Sequence, residues 1–274
     1  MIDAPSPAAR SVAAPGSGPT DLLVSEVFSA IQGEAALVGE RQVFVRLTGC
    51  NIRCRYCDQP EALERTPGPC RIETTAGRRD WSTEASPLGI DRVVDAVATL
   101  WAQVPHHSVS LTGGEPLLQG SRVERLVRCF AENGWPVMLE TNGTLLPPLR
   151  KLGADLAYVS MDLKLPSVDG EEVAPATQAR FLAESLASAG TTWVKVVIGP
   201  DTDRGEFDAA IAMVAQASAG RTVPVEVFLQ PLTPFGAAEV APSPGLVLEL
   251  QERALHIHPR VRVVPQTHKA IDQL

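Results

Sequence analysis

The sequence predicts an α/β fold in which a parallel sheet carries helices on its outside. Three observations predict it. From about residue 90 onward, short apolar runs alternate with stretches of helical periodicity. Glycine or proline separates many of these segments, which suits short connections and right-handed crossovers. Polar and glycine-containing segments recur just after the apolar runs, at the strand carboxyl ends where parallel β/α folds gather their chemistry.

Taken in order, residues 22–28 read as a strand, followed by a polar turn that holds Ser29, Gln32, Gly33 and Glu34. Residues 43–47 form the next strand and lead into Cys50, Cys54 and Cys57. Residues 59–89 are rich in Pro, Gly, Arg and Thr without a clear period, so they read as a loop insertion beside the cysteines. Val93, Val94, Val97, Leu100 and Trp101 share one helix face, with Asp91 near its start. Strand 108–112, helix 123–133 stopped by Gly134, and strand 137–140 follow. A helical piece at 145–152 leads to strand 156–160, helix 177–189, strand 193–198 and helix 207–217. Strand 225–229, helix 246–257 and strand 261–264 complete the pattern.

The 274 residues suffice for one large domain, read as 21–274, behind a disordered Pro/Ala/Gly/Ser tail at 1–20. A hydrophobic content of 45% and a mean hydropathy of +0.04 describe a soluble chain. No apolar run approaches a membrane span. Five cysteines without a secretion signal argue against a disulfide framework and for the reducing cytoplasm. A net charge of −8 gives no footprint for nucleic acid or an anionic membrane, so the default partner is a small molecule.

The C-x3-C-x2-C spacing of Cys50, Cys54 and Cys57 is too irregular for one helix face, so the chain must loop around whatever the sulfurs share. Three readings fit: an iron–sulfur cluster with one open position, a zinc site closed by a distant histidine, or reduced thiols that happen to cluster. His106, His107, His256 and His258 show no metal-ligand spacing, Cys129 packs on a helix, and Cys70 reads as a free thiol in the insertion. Gly113-Gly114-Glu115-Pro116 is either an ordinary βα turn or a place where backbone approaches a ligand. Glu140-Thr141-Asn142-Gly143 is a compact polar turn, Asp162 and Lys164 are a surface ion pair or a buried site, and Ser160 and Gln230 stand at strand ends.

The cysteine loop, with aromatic Tyr56 before its third cysteine and Gly113-Gly114-Glu115-Pro116 one βα unit later, resembles the radical S-adenosylmethionine (SAM) enzymes. That resemblance implies a partial (β/α) barrel and a [4Fe–4S] cluster on Cys50, Cys54 and Cys57, whose fourth iron is chelated by SAM. It also implies SAM contacts from Tyr56, Gly113, Gly114, Glu115, Thr141, Asn142, Ser160, Lys164 and Gln230. Three further segments resemble the 7-carboxy-7-deazaguanine synthases: Gln32-Gly33-Glu34, Arg46 four residues before Cys50, and Gln266-Thr267-His268-Lys269. The implied reaction converts 6-carboxy-5,6,7,8-tetrahydropterin to 7-carboxy-7-deazaguanine with loss of ammonia, in queuosine or other deazapurine biosynthesis.

The same resemblance implies Mg2+, a reductant such as flavodoxin or ferredoxin, and a homodimer. Its substrate contacts fall on Gln32, Gly33, Glu34, Arg46, Thr112 and His268, with the Leu274 carboxylate reaching the site. Where that family has Thr or Ser after Cys-Asp, this chain has Gln59, whose amide oxygen can still meet a hard cation. Two rivals are an activase that makes a glycyl radical on a partner protein and a non-catalytic zinc-binding module.

Overall fold

The computed structural model describes residues 21–65, 68–235 and 238–273. The expected tail at 1–20 and the Leu274 carboxylate lie outside them. The strands are β1 Asp21–Leu22, β2 Val24–Ile31, β3 Arg41–Leu47, β4 Pro69–Glu73, β5 Trp81–Ala85, β6 Leu88–Gly89, β7 Ser108–Gly113, β8 Val137–Thr141, β9 Tyr158–Leu163, β10 Thr191–Ile198, β11 Glu226–Pro231 and β12 Val261–Val263. The helices are α1 Ile90–Trp101, α2 Ser121–Glu132, α3 Leu146–Leu152, α4 Pro166–Asp169, α5 Pro175–Ser188, α6 Arg204–Ser218, α7 Pro244–Ile257 and α8 Thr267–Ala270.

One sheet runs in the order β12-β11-β10-β9-β8-β7-β3-β2-β4-β5, and β1 pairs separately with β6. From β3 through β7 to β12 every neighbouring pair is parallel. β2 joins β3 antiparallel, and the antiparallel hairpin β4–β5 extends the far side. Parallel strands covered on both faces are continuously apolar. These are not. Val43, Val45, Leu111, Leu139, Val159, Val194, Val196 and Leu229 belong to one buried core with apolar residues of the helices. The alternate positions carry Arg46, Thr112, Glu140, Asp162, Lys195 and Gln230, and all of these line a cavity.

The sheet curls around that cavity. Ala35, just past β2, packs with Met138, Trp193 and Phe228 of β8, β10 and β11. Thr267, past β12, donates its N–H to the Gly33 carbonyl at 2.9 Å. Among the described residues β12 and β5 are the unpaired edges of the sheet, so the barrel is partial.

Two expectations need correction. The stretch 59–89 is not a loop insertion: it contains β4, β5 and β6. Its alternation is real, with Cys70 and Ile72 buried on either side of exposed Arg71, but the Pro, Gly and Arg content hides it. Cys70 is therefore a core thiol, which burial pushes up to about 12 and makes inert. The strand expected at 156–160 runs from Tyr158 to Leu163, so Asp162 sits inside it rather than after it.

The cysteine loop is fastened to the β7 turn by backbone. Glu115 N–H donates to the Gly49 carbonyl at 2.8 Å, Gly114 N–H to Leu47 at 3.1 Å, and Gly49 N–H to Ala62 at 2.8 Å. A Cβ on Gly114 would lie 2.3 Å from the Gly49 oxygen and 2.7 Å from that of Ala62. Gly114→Ala is expected to destabilise the fold by about 1–3 kcal/mol and to lower the iron retained after reconstitution. A denaturation midpoint and iron content equal to wild type would show that the loop is not seated on this turn.

Candidate active site

Cys50, Cys54 and Cys57 are free, half-buried and line the cavity. Burial pushes the Cys54 thiol up to about 12 and raises that of Cys57. Among the described residues, no three His, Cys, Asp or Glu side chains converge on one ion. Three thiols on one loop against one cavity are the residue type and number that hold an iron–sulfur cluster with one position left open. Tyr56 holds the loop from the side: its hydroxyl donates to the Asp169 carboxylate and accepts from Lys164 Nζ at 3.1 Å. The Asp169 carbonyl takes the Arg55 N–H at 2.9 Å, so α4 anchors both the loop and its aromatic residue.

Gly113, Gly114, Thr141 and Asn142 reach the cavity, but Glu115 does not. Fully buried, its carboxylate accepts from Leu117 N–H at 3.0 Å, Asn142 N–H at 2.8 Å and the Thr141 hydroxyl at 3.0 Å. It holds together the turns after β7 and β8. Ser160 also lies off the cavity, one layer beneath Asp162, where it accepts from Trp193 Nε1 at 3.0 Å.

A row of alternating charges crosses the interior. Lys195 pairs with Glu34 and, at 3.0 Å, with Asp162; Lys164 meets Asp162 at 3.3 Å and Asp169 at 3.6 Å. Burial alone would raise Asp162, yet the Lys195 and Lys164 ammoniums hold it below its usual range. Burial likewise opposes the charge on Lys195, and Asp162 and Glu34 overcome it, leaving its pKa raised. Glu140, beside them, is raised by burial and then by the Glu34 charge. Asp162 is thus a member of the site and not a surface partner of Lys164.

The segment after β2 closes the far wall. Gln32 donates to Gln42 and Glu140, both at 3.0 Å, and accepts the Glu34 N–H at 3.0 Å, so its amide is engaged in holding Glu34. Glu34 also receives Gln266 Nε2 at 2.8 Å and Gln230 Nε2 at 3.4 Å. The Gln230 Oε1 is buried without a partner on the cavity wall. A Cβ on Gly33 would lie 2.1 Å from His268 Nδ1, so only glycine lets the C-terminal segment dock. Burial lowers His268, which makes it a neutral hydrogen-bonding group.

Arg46 donates from Nε to Glu26 at 2.9 Å and reaches the cavity. Thr112 donates to Glu140 at 3.0 Å. Beside the cysteines, Asp58 binds Lys269 Nζ at 2.9 Å and Gln266 Nε2 at 3.1 Å, and Gln59 lines the same wall. Burial would raise Asp58, but the Lys269 charge holds it low.

Sequence reasoning missed Lys195 and Asp169 as site residues and took Glu140 only as part of a polar turn. The signal for Lys195 was a lone charge in the apolar run Trp193-Val194-Lys195-Val196-Val197. Nothing local marked Asp169.

Burial pushes Glu115 from 4.5 up to about 7. The stability it contributes is present in full below its unfolded value and is lost as pH rises through about 7. Relative to Glu115→Gln, wild-type thermal stability should therefore decline from pH 4.5 to about 7. Parallel pH profiles would contradict the buried placement.

A family model described as "Radical SAM superfamily" matches residues 44–214. The chain is 38% identical to the 7-carboxy-7-deazaguanine synthase of Geobacter sulfurreducens, covering 92% of this chain and 97% of that one. It is 35% identical to the enzyme of the same name from Methanopyrus kandleri, covering 92% and 94%. The crystal structure of QueE from Escherichia coli shares the fold, with a TM-score of 0.59 and 19% identity over 90% of this chain and 94% of that one. With a cysteine loop, a glycine turn and a polar wall around one cavity, the chain belongs to the radical SAM superfamily and, within it, to the 7-carboxy-7-deazaguanine synthase family.

Proposed function

We infer that the chain converts 6-carboxy-5,6,7,8-tetrahydropterin to 7-carboxy-7-deazaguanine with loss of ammonia. One observation carries the structural side of this reading: Cys50, Cys54 and Cys57 share a single cavity with Glu34, Arg46 and His268. The glycyl-radical activase and zinc-module readings give way, because relatives matched along almost their whole length carry the synthase name.

When bound, the cluster and SAM supply the radical that removes the substrate hydrogen. The protein's part is to position one C–H bond and exclude water. The Gly113–Gly114 backbone, Tyr56, Thr141, Asn142 and Lys164 form the wall next to the cysteines, where SAM would lie. The unpartnered Gln230 oxygen offers an acceptor to an N–H of a bound ligand. Glu34, fixed by Lys195 and Gln266, accepts ring N–H groups, and the Gln32, Glu140 and Thr112 network holds it in place. Arg46 takes the carboxylate, and His268, kept neutral, adds a hydrogen bond.

The oxygens of Asp58 and Gln59 suit a hard cation by type, and two protein ligands completed by substrate oxygens are common for Mg2+. These two residues would hold it. A homodimer, a flavodoxin or ferredoxin reductant and a cytoplasmic setting belong to the same reading. Among the described residues, no helix is long and apolar enough to cross a membrane.

Anaerobic incubation of reconstituted enzyme with SAM, reductant and the carboxytetrahydropterin should yield carboxydeazaguanine by mass. SAM cleavage without that product would discard the family reaction and keep the superfamily chemistry. Arg46→Met should raise the pterin KM at least about tenfold with iron content unchanged; an unchanged KM would remove Arg46 from carboxylate recognition.

A further inference from the structure

The β4–β5 hairpin widens the sheet beyond β2, and it places one residue where the cavity's charge balance is set. Glu26, Arg46 and Arg71 are direct cross-strand neighbours in one row over β3, β2 and β4. Glu26 is 8% exposed, and its two carboxylate oxygens are divided: Oε2 to Arg46 Nε at 2.9 Å and Oε1 to Arg71. Two guanidinium groups thus share one carboxylate, leaving one positive charge uncompensated within the trio.

An aromatic layer fixes both arginines. Arg71 lies 4.7 Å over the Trp81 ring and Arg46 5.4 Å over Phe28. Phe28 stacks on Phe44 at 5.1 Å and meets the edge of Trp81 at 6.3 Å. Within this trio only Arg46 reaches the cavity. Without Arg71, Glu26 would neutralise Arg46 alone, and a buried neutral pair attracts an anion weakly.

We propose that Arg71 is a specificity-setting positioning residue: by sharing Glu26 it leaves Arg46 with charge to spend on the substrate carboxylate. The hairpin then belongs to the substrate site although it does not touch substrate. This rests on the assignment of the pterin carboxylate to Arg46.

The test is steady-state kinetics of the reconstituted holoenzyme, with tetrahydropterin lacking the carboxylate as competitor. Arg71→Met should raise the KM for the carboxylated pterin about tenfold and reduce discrimination against the competitor by a similar factor, with kcat and the SAM KM within about twofold of wild type. Arg71→Lys should keep most of the discrimination. Adding Glu26→Gln to Arg71→Met should restore the KM, because the anion that neutralises Arg46 is gone.

Wild-type KM and discrimination in Arg71→Met, with discrimination lost in Arg46→Met, would overturn the sharing and leave the Arg46 assignment standing. If Arg46→Met also kept discrimination, the assignment itself would fall. Should Arg71→Met not fold, Glu26→Gln alone decides: its KM must not rise, and a rise of about tenfold overturns the proposal.

Discussion

A charge buried in a protein interior persists only when it is paired and hydrogen-bonded. The row Glu34, Lys195, Asp162, Lys164 and Asp169 meets that condition with carboxylate and ammonium in strict alternation. Its members come from the segment after β2, from the neighbouring strands β9 and β10, from the residue that follows β9, and from α4, so the pairing ties the segment after β2 and α4 to the middle of the sheet. It also explains why the inner face is polar. Strands whose side chains alternate between helix-covered core and cavity place polar groups there, and Arg46, Thr112 and Asp162 each find a partner on the neighbouring strand.

The two ends of the row hold different segments of the chain. At one end Lys164 and Asp169 hold the Tyr56 hydroxyl and thereby the cysteine loop. At the other, Lys195 fixes Glu34 beside Gln266 and Gln230. Glycines carry the complementary burden where backbones must nearly touch. Gly114 lets the loop lie against the β7 turn, and Gly33 lets His268 sit on the segment after β2. Satisfied polar networks of this kind rigidify a site, which suits a reaction whose selectivity depends on which C–H bond is presented.

Much of this was legible in the chain, for physical reasons that differ by residue. Three thiols in one loop and a double glycine after a strand are residue types whose chemistry or backbone freedom is needed locally, so Cys50, Cys54, Cys57, Gly113 and Gly114 announce themselves. The alternation of strands and helices revealed the fold class, with strand limits off by a few residues at β2 and β9. Lys195 and Asp162 were harder, because a lone charge in a strand resembles a solvated residue until the fold shows which face is open. Glu115 looked like a ligand contact, yet its neighbours in space are the donors of the next strand's turn. The hairpin was hidden by its composition, and the reason for Gly33 lies in His268, near the opposite end of the chain.

The role of Lys195 is to hold one wall of the cavity by balancing Glu34 and Asp162. Its most direct test is the kcat/KM for carboxytetrahydropterin of Lys195→Met, reconstituted to wild-type iron content. A fall of at least about a hundredfold is expected, since two buried carboxylates lose their shared cation. A value within about twofold of wild type would contradict it.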